Sequence, residues 1–101
     1  RYRRRWARAT VEAGLTRIER GVRVVPRLAS VTSERAGDVV RVQMLEHQAP
    51  RDWANQIGVL APMFGAAGGR VRLVEGKPSQ IELVFRPASA AKPSVVLGGA
   101  A

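Results

Sequence analysis

The sequence predicts an α+β fold, in which a small ββαββ sheet with one packed helix follows a basic N-terminal helical arm. Three observations lead to this prediction. Four short runs alternate between apolar and polar residues with the period of a strand, and a stretch between the second and third run has the spacing of an amphipathic helix. The positive charge is concentrated at the start, because residues 1–27 carry nine arginines and only two glutamates. Four short strands with one helix on one face make a workable two-layer domain.

The arm is predicted to comprise residues 1–20. Residues 2–13 are rich in Ala and Arg, which favour a helix, and Gly14 is a suitable residue to end it. Tyr2 and Trp6 begin one stripe of this helix, with arginines around it. Because the stripe lacks enough large apolar residues for a core helix, we expect a surface arm or the continuation of a helix that begins upstream. The first residue is Arg rather than Met, which indicates a piece of a longer protein.

The first predicted hairpin joins residues 22–33 to residues 39–45. The first run is rich in β-branched residues, and Pro26 within it indicates an edge strand or a bulge. Gly37 and Asp38 are good turn residues between the two runs. The second run alternates between apolar residues on one face and polar residues on the other, as a half-buried strand does.

A single helix is predicted after this hairpin. Pro50 suits its first turn, and Pro62 predicts either an end near Leu60 or a distorted last turn. One side of the helix carries apolar residues three and four apart, namely Trp53, Ile57, Leu60 and Phe64. We expect Trp53 in the core rather than exposed as a platform for stacking nucleic-acid bases.

The second predicted hairpin joins residues 70–75 to residues 80–86. A flexible glycine-rich loop at 65–69 is expected before it, and residues 88–101 are small-residue-rich, which indicates a flexible linker or tail. The folded module is therefore predicted to span residues 21–87.

Alternation within this second hairpin predicts which side chains face the core. Val71 and Leu73 are expected inward. Glu82 is expected outward, where it faces Arg70 or Arg72 on the neighbouring strand.

Catalytic, metal and cofactor chemistry are not indicated. The chain has no cysteine and only one histidine, His47. Glu46 and Asp52 lie near it in the sequence, but no nucleophile or orienting group accompanies them, so we expect no enzyme activity, no cofactor and no metal site. The glycine-rich loop precedes a strand rather than a helix, which disfavours a phosphate cradle. No apolar run approaches the roughly 20 residues of a membrane-spanning helix, and no apolar h-region of the kind found in signal peptides follows the first arginines.

The candidate functional site is the cationic part of the chain. The residues expected to contact membrane or nucleic-acid phosphates are Arg1, Arg3, Arg4, Arg5, Arg8, Arg17, Arg20, Arg23 and Arg27. Three interpretations stay open for those in the arm. They are positive-inside anchors if a membrane span precedes them, with Tyr2 and Trp6 near the interface. Alternatively they neutralise DNA phosphates, or they form a solvated terminus without a partner.

The last four of these arginines extend the basic zone towards the sheet. Arg23 and Arg27 lie four residues apart, so we expect them on one face of a strand, directed at one ligand or subunit. A solvated sheet face is the alternative.

The order of the segments resembles a known family. A Gly-Leu-Thr step at 14–16 follows the arginine-rich arm, and Pro-Arg-Leu stands at 26–28. His-Gln-Ala-Pro-Arg-Asp-Trp at 47–53 opens the helix, and Val-Phe-Arg-Pro at 84–87 ends the last strand. Over residues 1–87 this pattern resembles the segment before the motor domain of actinobacterial FtsK/SpoIIIE-type DNA translocases, the Tra proteins of conjugative plasmids and integrated elements.

The resemblance implies a non-catalytic module on the cytoplasmic face of the cell membrane. In that family such a module stands between membrane helices and a RecA-like ATPase that pumps double-stranded DNA during plasmid transfer. It would link these parts and aid assembly of a hexameric homo-oligomer. The implied partners are an anionic membrane surface, double-stranded DNA or both, and no small-molecule substrate.

The chain departs from the family in two places. An Asp-Pro-Leu-like step is expected after the last strand, whereas Arg86, Pro87 and Ala88 stand there. No G-x-x-x-x-G-K-[ST] motif is present, so ATP hydrolysis does not carry over to this chain. Two functions of other classes also fit the sequence: a stand-alone basic nucleic-acid-binding module, and a structural oligomerisation domain.

Overall fold

The structure is a computed structural model and describes residues 2–88. Helices and antiparallel strands make up most of this range. In chain order the elements are α1 (Tyr2–Glu12), β1 (Arg17–Glu19), β2 (Val22–Val24), β3 (Arg27–Glu34), β4 (Gly37–Gln43), α2 (Pro50–Ala54), α3 (Ile57–Met63), β5 (Ala66–Leu73) and β6 (Gln80–Pro87). The predicted α+β class is confirmed. The linker or tail expected at 88–101 lies outside the described residues apart from Ala88, and Arg1 lies outside them too.

The main sheet has four antiparallel strands in the order β3-β4-β6-β5. The β3–β4 and β5–β6 hairpins are joined through α2 and α3, and the pairing of β4 with β6 brings them together. β1 and β2 form a separate two-stranded sheet. The ββαββ order predicted for the module is therefore present, with a helical layer made of three helices instead of one.

The core lies between the helices and one face of the main sheet. Ile81, Leu83 and Phe85 alternate along β6 and are at most 1% exposed, as the strand period predicts. Trp53 is fully buried, which confirms its predicted core position. Leu60 and Phe64 are likewise buried in the same cluster. One sheet face is thus covered by helices.

The expectation that α1 is a surface arm is wrong. Tyr2 and Trp6 are each only 6% exposed and belong to the core cluster, so they are not membrane-interface aromatics. The Trp6 ring stacks on Trp53 with a centroid distance of 5.9 Å, and its indole N–H donates to the Pro26 carbonyl at 2.6 Å. The physical reason is that two large rings supply the apolar area while small residues such as Ala9 let the helix approach the domain closely.

The long first strand predicted at 22–33 is also wrong, because it is two strands of different sheets. β2 pairs with β1 through a two-residue turn in which Arg20 has a φ of 52° and Gly21 a φ of 78°. Positive φ at both central residues is the geometry that suits the twist of a tight hairpin. Pro26, which has no N–H to donate, lies between β2 and β3. The predicted boundary at residue 20 therefore falls inside a hairpin.

The predicted helix after β4 is divided into α2 and α3. Pro50 occupies the first turn of α2, as predicted, and the Asp52 carboxylate accepts the Ala49 N–H at 2.8 Å. The helix restarts at Ile57 and passes Pro62 to reach Met63.

The glycine-rich segment is a strand, not the flexible loop that the sequence predicts. β5 begins at Ala66, and a Cβ at Gly69 would come within 2.9 Å of the Phe85 ring. These glycines therefore permit close packing on β6 rather than flexibility. Val71 is half-buried as expected, but Leu73 is 70% exposed, which contradicts its predicted inward position.

Candidate functional site

Helix α1 presents a small basic surface, which we call the α1 face and define by Arg4 and Arg8. Arg3 and Arg5 flank it and turn back to the domain: the Arg3 guanidinium donates to the Leu28 carbonyl at 3.4 Å, and that of Arg5 to the Met63 carbonyl at 3.1 Å. Arg4 and Arg8 are exposed, and neither has a hydrogen bond or ion pair with another residue in 2–88. They lie one turn apart, opposite the buried stripe of α1.

The arginines of the β1–β2 hairpin are engaged locally. The Arg17 guanidinium contacts the Glu19 carboxylate at 3.0 Å and the His47 Nδ1 at 2.9 Å. The Arg23 guanidinium donates to the Thr16 hydroxyl at 2.8 Å. Arg20 lies in the turn between the two strands.

The candidate arginines are therefore not brought together into one site. Arg27 lies on β3 of the main sheet, whereas Arg23 lies on β2, so the expectation that they share a strand face is wrong. The reason is that the strand is interrupted at Pro26, between β2 and β3. The basic segment divides into the α1 face, the hairpin and a contribution to the main sheet.

A second basic surface lies on the face of the main sheet that the helices leave uncovered. We call it the open sheet face. Strand alternation and register place five arginines and two glutamates on it: Arg27, Arg41, Arg70, Arg72, Arg86, Glu34 and Glu82. Of these seven residues, only Arg27 is among those that the sequence predicts to contact phosphates.

Glu82 organises the centre of the open sheet face. Its carboxylate accepts from the Arg41 guanidinium at 2.9 Å on one side and from the Arg72 guanidinium at 2.9 Å on the other. Arg72 also contacts Glu34 at 3.4 Å. The predicted partnership of Glu82 with Arg72 is confirmed. Arg70 is paired in register with Val84 instead.

This ion cluster shifts the pKa values of two of its members. Partial burial on its own would raise the pKa of Glu82, but the hydrogen bonds and charges of Arg41 and Arg72 outweigh it, so the pKa lies below its usual value. The hydrogen bond to Glu82 raises the pKa of Arg72. Glu82 is therefore a charged carboxylate over the whole physiological range.

Beside this cluster, Arg70 and Arg86 flank a hollow of about 220 Å³ that Ala36, Gly69 and Val84 complete. Val84 is only 2% exposed although it lies on the open face. Both arginines are exposed, and neither has an ion pair with another residue in the described range. Gly68 makes room for Arg86, because a Cβ there would overlap the Arg86 guanidinium.

Two of the three polar residues that could resemble an acid–base set have structural partners. His47 contacts Arg17, and Asp52 caps α2. Gln48, which the sequence did not single out, donates to the Leu15 carbonyl at 2.7 Å and accepts from the Leu45 N–H at 2.9 Å. Within residues 2–88, no group of three or more His, Asp or Glu side chains is placed to hold a metal ion. No helix in this range is long and apolar enough to cross a membrane.

Part of the open sheet face was visible in the sequence. Alternation correctly places Arg41, Arg70 and Arg72 on the outer side of their strands. Periodicity does not predict that β6 lies between β4 and β5. This strand order places Arg41 and Arg72 on either side of Glu82.

Comparison of the chain with protein-family models, with curated proteins and with solved structures finds no match.

Proposed function

We propose that this chain is a non-catalytic module of a membrane-anchored DNA translocase of the FtsK/SpoIIIE type, which acts in the transfer of plasmids or integrative elements. The module links the membrane part to the ATPase motor and aids assembly. The proposal combines the sequence resemblance over residues 1–87 with one structural observation, the firm docking of α1 on the sheet domain.

The docking of α1 supports a linking role because it gives the helix a fixed direction. The Tyr2 hydroxyl donates to the Asp38 carboxylate at 2.8 Å, and the Trp6 indole donates to Pro26 one turn later. Both rings also stack in the core. A segment that continues into α1 therefore meets the domain at a defined angle rather than through a flexible joint.

The two ends of the folded region lie side by side, which also supports this role. The Tyr2 ring stacks on Phe85 with a centroid distance of 5.8 Å, and β6 ends two residues later at Pro87. The chain thus enters α1 and leaves β6 at the same end of the sheet. This arrangement suits a module that sets orientation between its neighbours and adds little distance between them.

The α1 face suits contact with an anionic membrane surface. Each basic residue near such a surface contributes about 1 kcal/mol, so Arg4 and Arg8 together give weak, salt-sensitive adhesion. At physiological salt that is too little to anchor a domain, since stable anchoring takes a stronger signal, and the isolated chain is expected on vesicles only at low salt, where the attraction is less screened. In the proposed function the anchor is another segment of the protein, and the α1 face orients the module against the lipid.

Assembly is supported by the far edge of the sheet. Within residues 2–88, β5 has a strand neighbour on one side only, and Leu73 near its end is exposed beside a hollow lined by Pro50, Val74 and Pro78. An edge strand with an exposed apolar residue favours contact with a second copy of this chain.

The reading frame around these 101 residues tests the proposed architecture. We expect apolar spans upstream and a G-x-x-x-x-G-K-[ST] motif downstream. A frame that encodes these residues alone would contradict the proposal.

A mating assay with the parent protein tests the role of the α1 face. Arg4→Glu with Arg8→Glu should lower the frequency of DNA transfer by an order of magnitude or more, because about 1 kcal/mol of attraction per residue becomes repulsion. The matched control, Arg35→Glu with Arg51→Glu, makes the same charge change at other exposed positions and should transfer normally. Equal loss in both variants would contradict a specific role for α1.

A further inference from the structure

We propose that the open sheet face binds the phosphate backbone of double-stranded DNA, with Arg70 and Arg86 as the principal contacts. The choice of DNA over other duplexes rests on the proposed function. The charge, geometry and composition of this face support phosphate binding.

The open sheet face carries an excess of positive charge. Five arginines share the open sheet face with only two glutamates, Glu34 and Glu82. Those two acids are occupied by Arg41 and Arg72. Arg70 and Arg86 are left without an acidic partner in residues 2–88. Guanidinium groups in this state are suited to phosphate oxygens, which they bind through two parallel N–H donors.

Arg70 and Arg86 lie close together on this face. Arg70 is paired with Val84 and Arg86 with Gly68, so the two arginines are diagonal neighbours across β5 and β6, about 7–8 Å apart. They stand on either side of the hollow floored by Val84. The absence of a side chain at Gly68 lets Arg86 lie flat on the strand. The two guanidinium groups can therefore bind a single backbone phosphate, or two successive ones, from both sides.

The open sheet face suits a duplex rather than a single strand. All five aromatic residues of the chain are buried in the core, on the other side of the sheet. The open sheet face therefore has no ring on which an unpaired base can stack, and stacking supplies much of the affinity of single-strand binders. Duplex DNA needs only positive charge along its backbone, without contact to bases.

Glu82 lies in the middle of this face and opposes DNA binding. Its carboxylate fixes Arg41 and Arg72 in the middle of the face but also neutralises part of their charge. DNA that lies across the face meets this carboxylate as a repulsive element. Glu82 thus limits affinity, as a site for moving along DNA requires, and its removal should strengthen binding.

The two basic surfaces point in different directions. The α1 face belongs to the helical layer, whereas the open sheet face is the uncovered side of the sheet. DNA and lipid contacts are therefore separable by mutation, which makes the proposal testable with matched variants.

The test is a salt-dependent titration of the chain with a labelled 20-base-pair DNA duplex. Arg70→Ala with Arg86→Ala should weaken binding roughly tenfold per lost contact at 0.1 M salt and reduce the slope of log affinity against log salt by about 1.8. Arg70→Lys with Arg86→Lys should retain most of the affinity. The control, Arg4→Ala with Arg8→Ala, removes the same charge from the α1 face and should bind almost as the wild type does.

A gain of affinity provides a second readout. Glu82→Gln should raise the affinity for duplex DNA several-fold, since it releases Arg41 and Arg72 and removes a repulsive charge. Thermal unfolding checks that the variant is folded, because an unfolded chain with this positive charge also binds DNA.

Several outcomes would overturn the proposal. They are no duplex binding by the folded wild type at 50 mM salt, equal losses in the α1 and open-face variants, or equal affinity for duplex DNA, duplex RNA and polyglutamate. The reading frame is independent of these titrations, so failure of the proposed function and failure of this inference are distinguishable.

Discussion

Trp6 shows at the scale of one residue how the basic helix is held to the domain. Trp6→Ala should lower the free energy of unfolding by about 3–5 kcal/mol, because a buried aromatic side chain is lost from the core. Trp6→Phe, which keeps a ring but loses the hydrogen bond to Pro26, should cost about 1 kcal/mol. Urea denaturation measures both. An Ala variant as stable as the wild type would return α1 to the role of a surface arm.

Gly37 provides a test of backbone geometry. Its φ is 140°, and a Cβ there would overlap the Phe85 carbonyl, so Gly37→Ala should destabilise the domain by more than about 1 kcal/mol. Gly58 is a matched control because it lies in α3 with open space around it, and Gly58→Ala should be neutral or stabilising by up to about 1 kcal/mol. Thermal unfolding distinguishes them. Equal melting temperatures for the two variants would contradict the geometry at Gly37.

Sequence patterns predict single residues well where burial follows one period. Ile81, Leu83 and Phe85 are buried as alternation requires, and Trp53 is buried as its helical stripe requires. The sequence pattern places Tyr2 and Trp6 wrongly at the surface, because a helix with few large apolar residues is predicted to be exposed. Packing depends on area, and two rings flanked by small residues bury enough of it.

At the scale of elements, Glu82 couples three strands and makes their stability depend on pH. Because the folded-state pKa of Glu82 is lowered, its stabilisation is present above its unfolded pKa of about 4.3 and is lost as the pH falls through the lower folded value. Glu82→Gln should be less stable than the wild type by about 1–3 kcal/mol at pH 7, and this difference should vanish in acid. Urea unfolding from pH 7 to pH 2 measures it. A difference that does not change with pH would contradict the assignment.

Elements were predictable where local signals agree with the fold. The pair of long hairpins follows from alternation and from the turns that join their strands. The β1–β2 hairpin was missed because Arg20 takes a positive φ, which is uncommon for a residue other than glycine, and only its neighbour Gly21 signals such a turn. The strand at Ala66 was missed because glycines also fit a loop, and their close approach to β6 exists only in the assembled sheet.

At the scale of the whole molecule, the charge is divided between two surfaces. The distribution of charge along the sequence predicts one basic zone over residues 1–27, which begins in the arm and extends towards the sheet. In the folded chain, Arg3 and Arg5 donate hydrogen bonds to the domain, whereas Arg4 and Arg8 are exposed. Later arginines lie together on the open sheet face. The order of the strands across residues 27–87 decides this distribution, and local periodicity does not predict that order.

Contact between copies of the chain is also tested at this scale. Leu73→Lys should weaken self-association several-fold, because it places a charge at the exposed apolar end of β5. Sedimentation over a range of concentrations measures it, with Val59→Lys on α3 as the control at another exposed apolar position. If both variants associate like the wild type, the far edge of the sheet is not the contact.

The central claim is a module with separate faces for membrane and DNA. Its most direct test is flotation of anionic vesicles at low salt with labelled duplex DNA and the chain. We predict that the wild type carries DNA to the vesicles. Arg4→Ala with Arg8→Ala should leave both protein and DNA behind, whereas Arg70→Ala with Arg86→Ala should float protein without DNA. Loss of vesicle binding in both variants, or DNA flotation by both, would contradict the account.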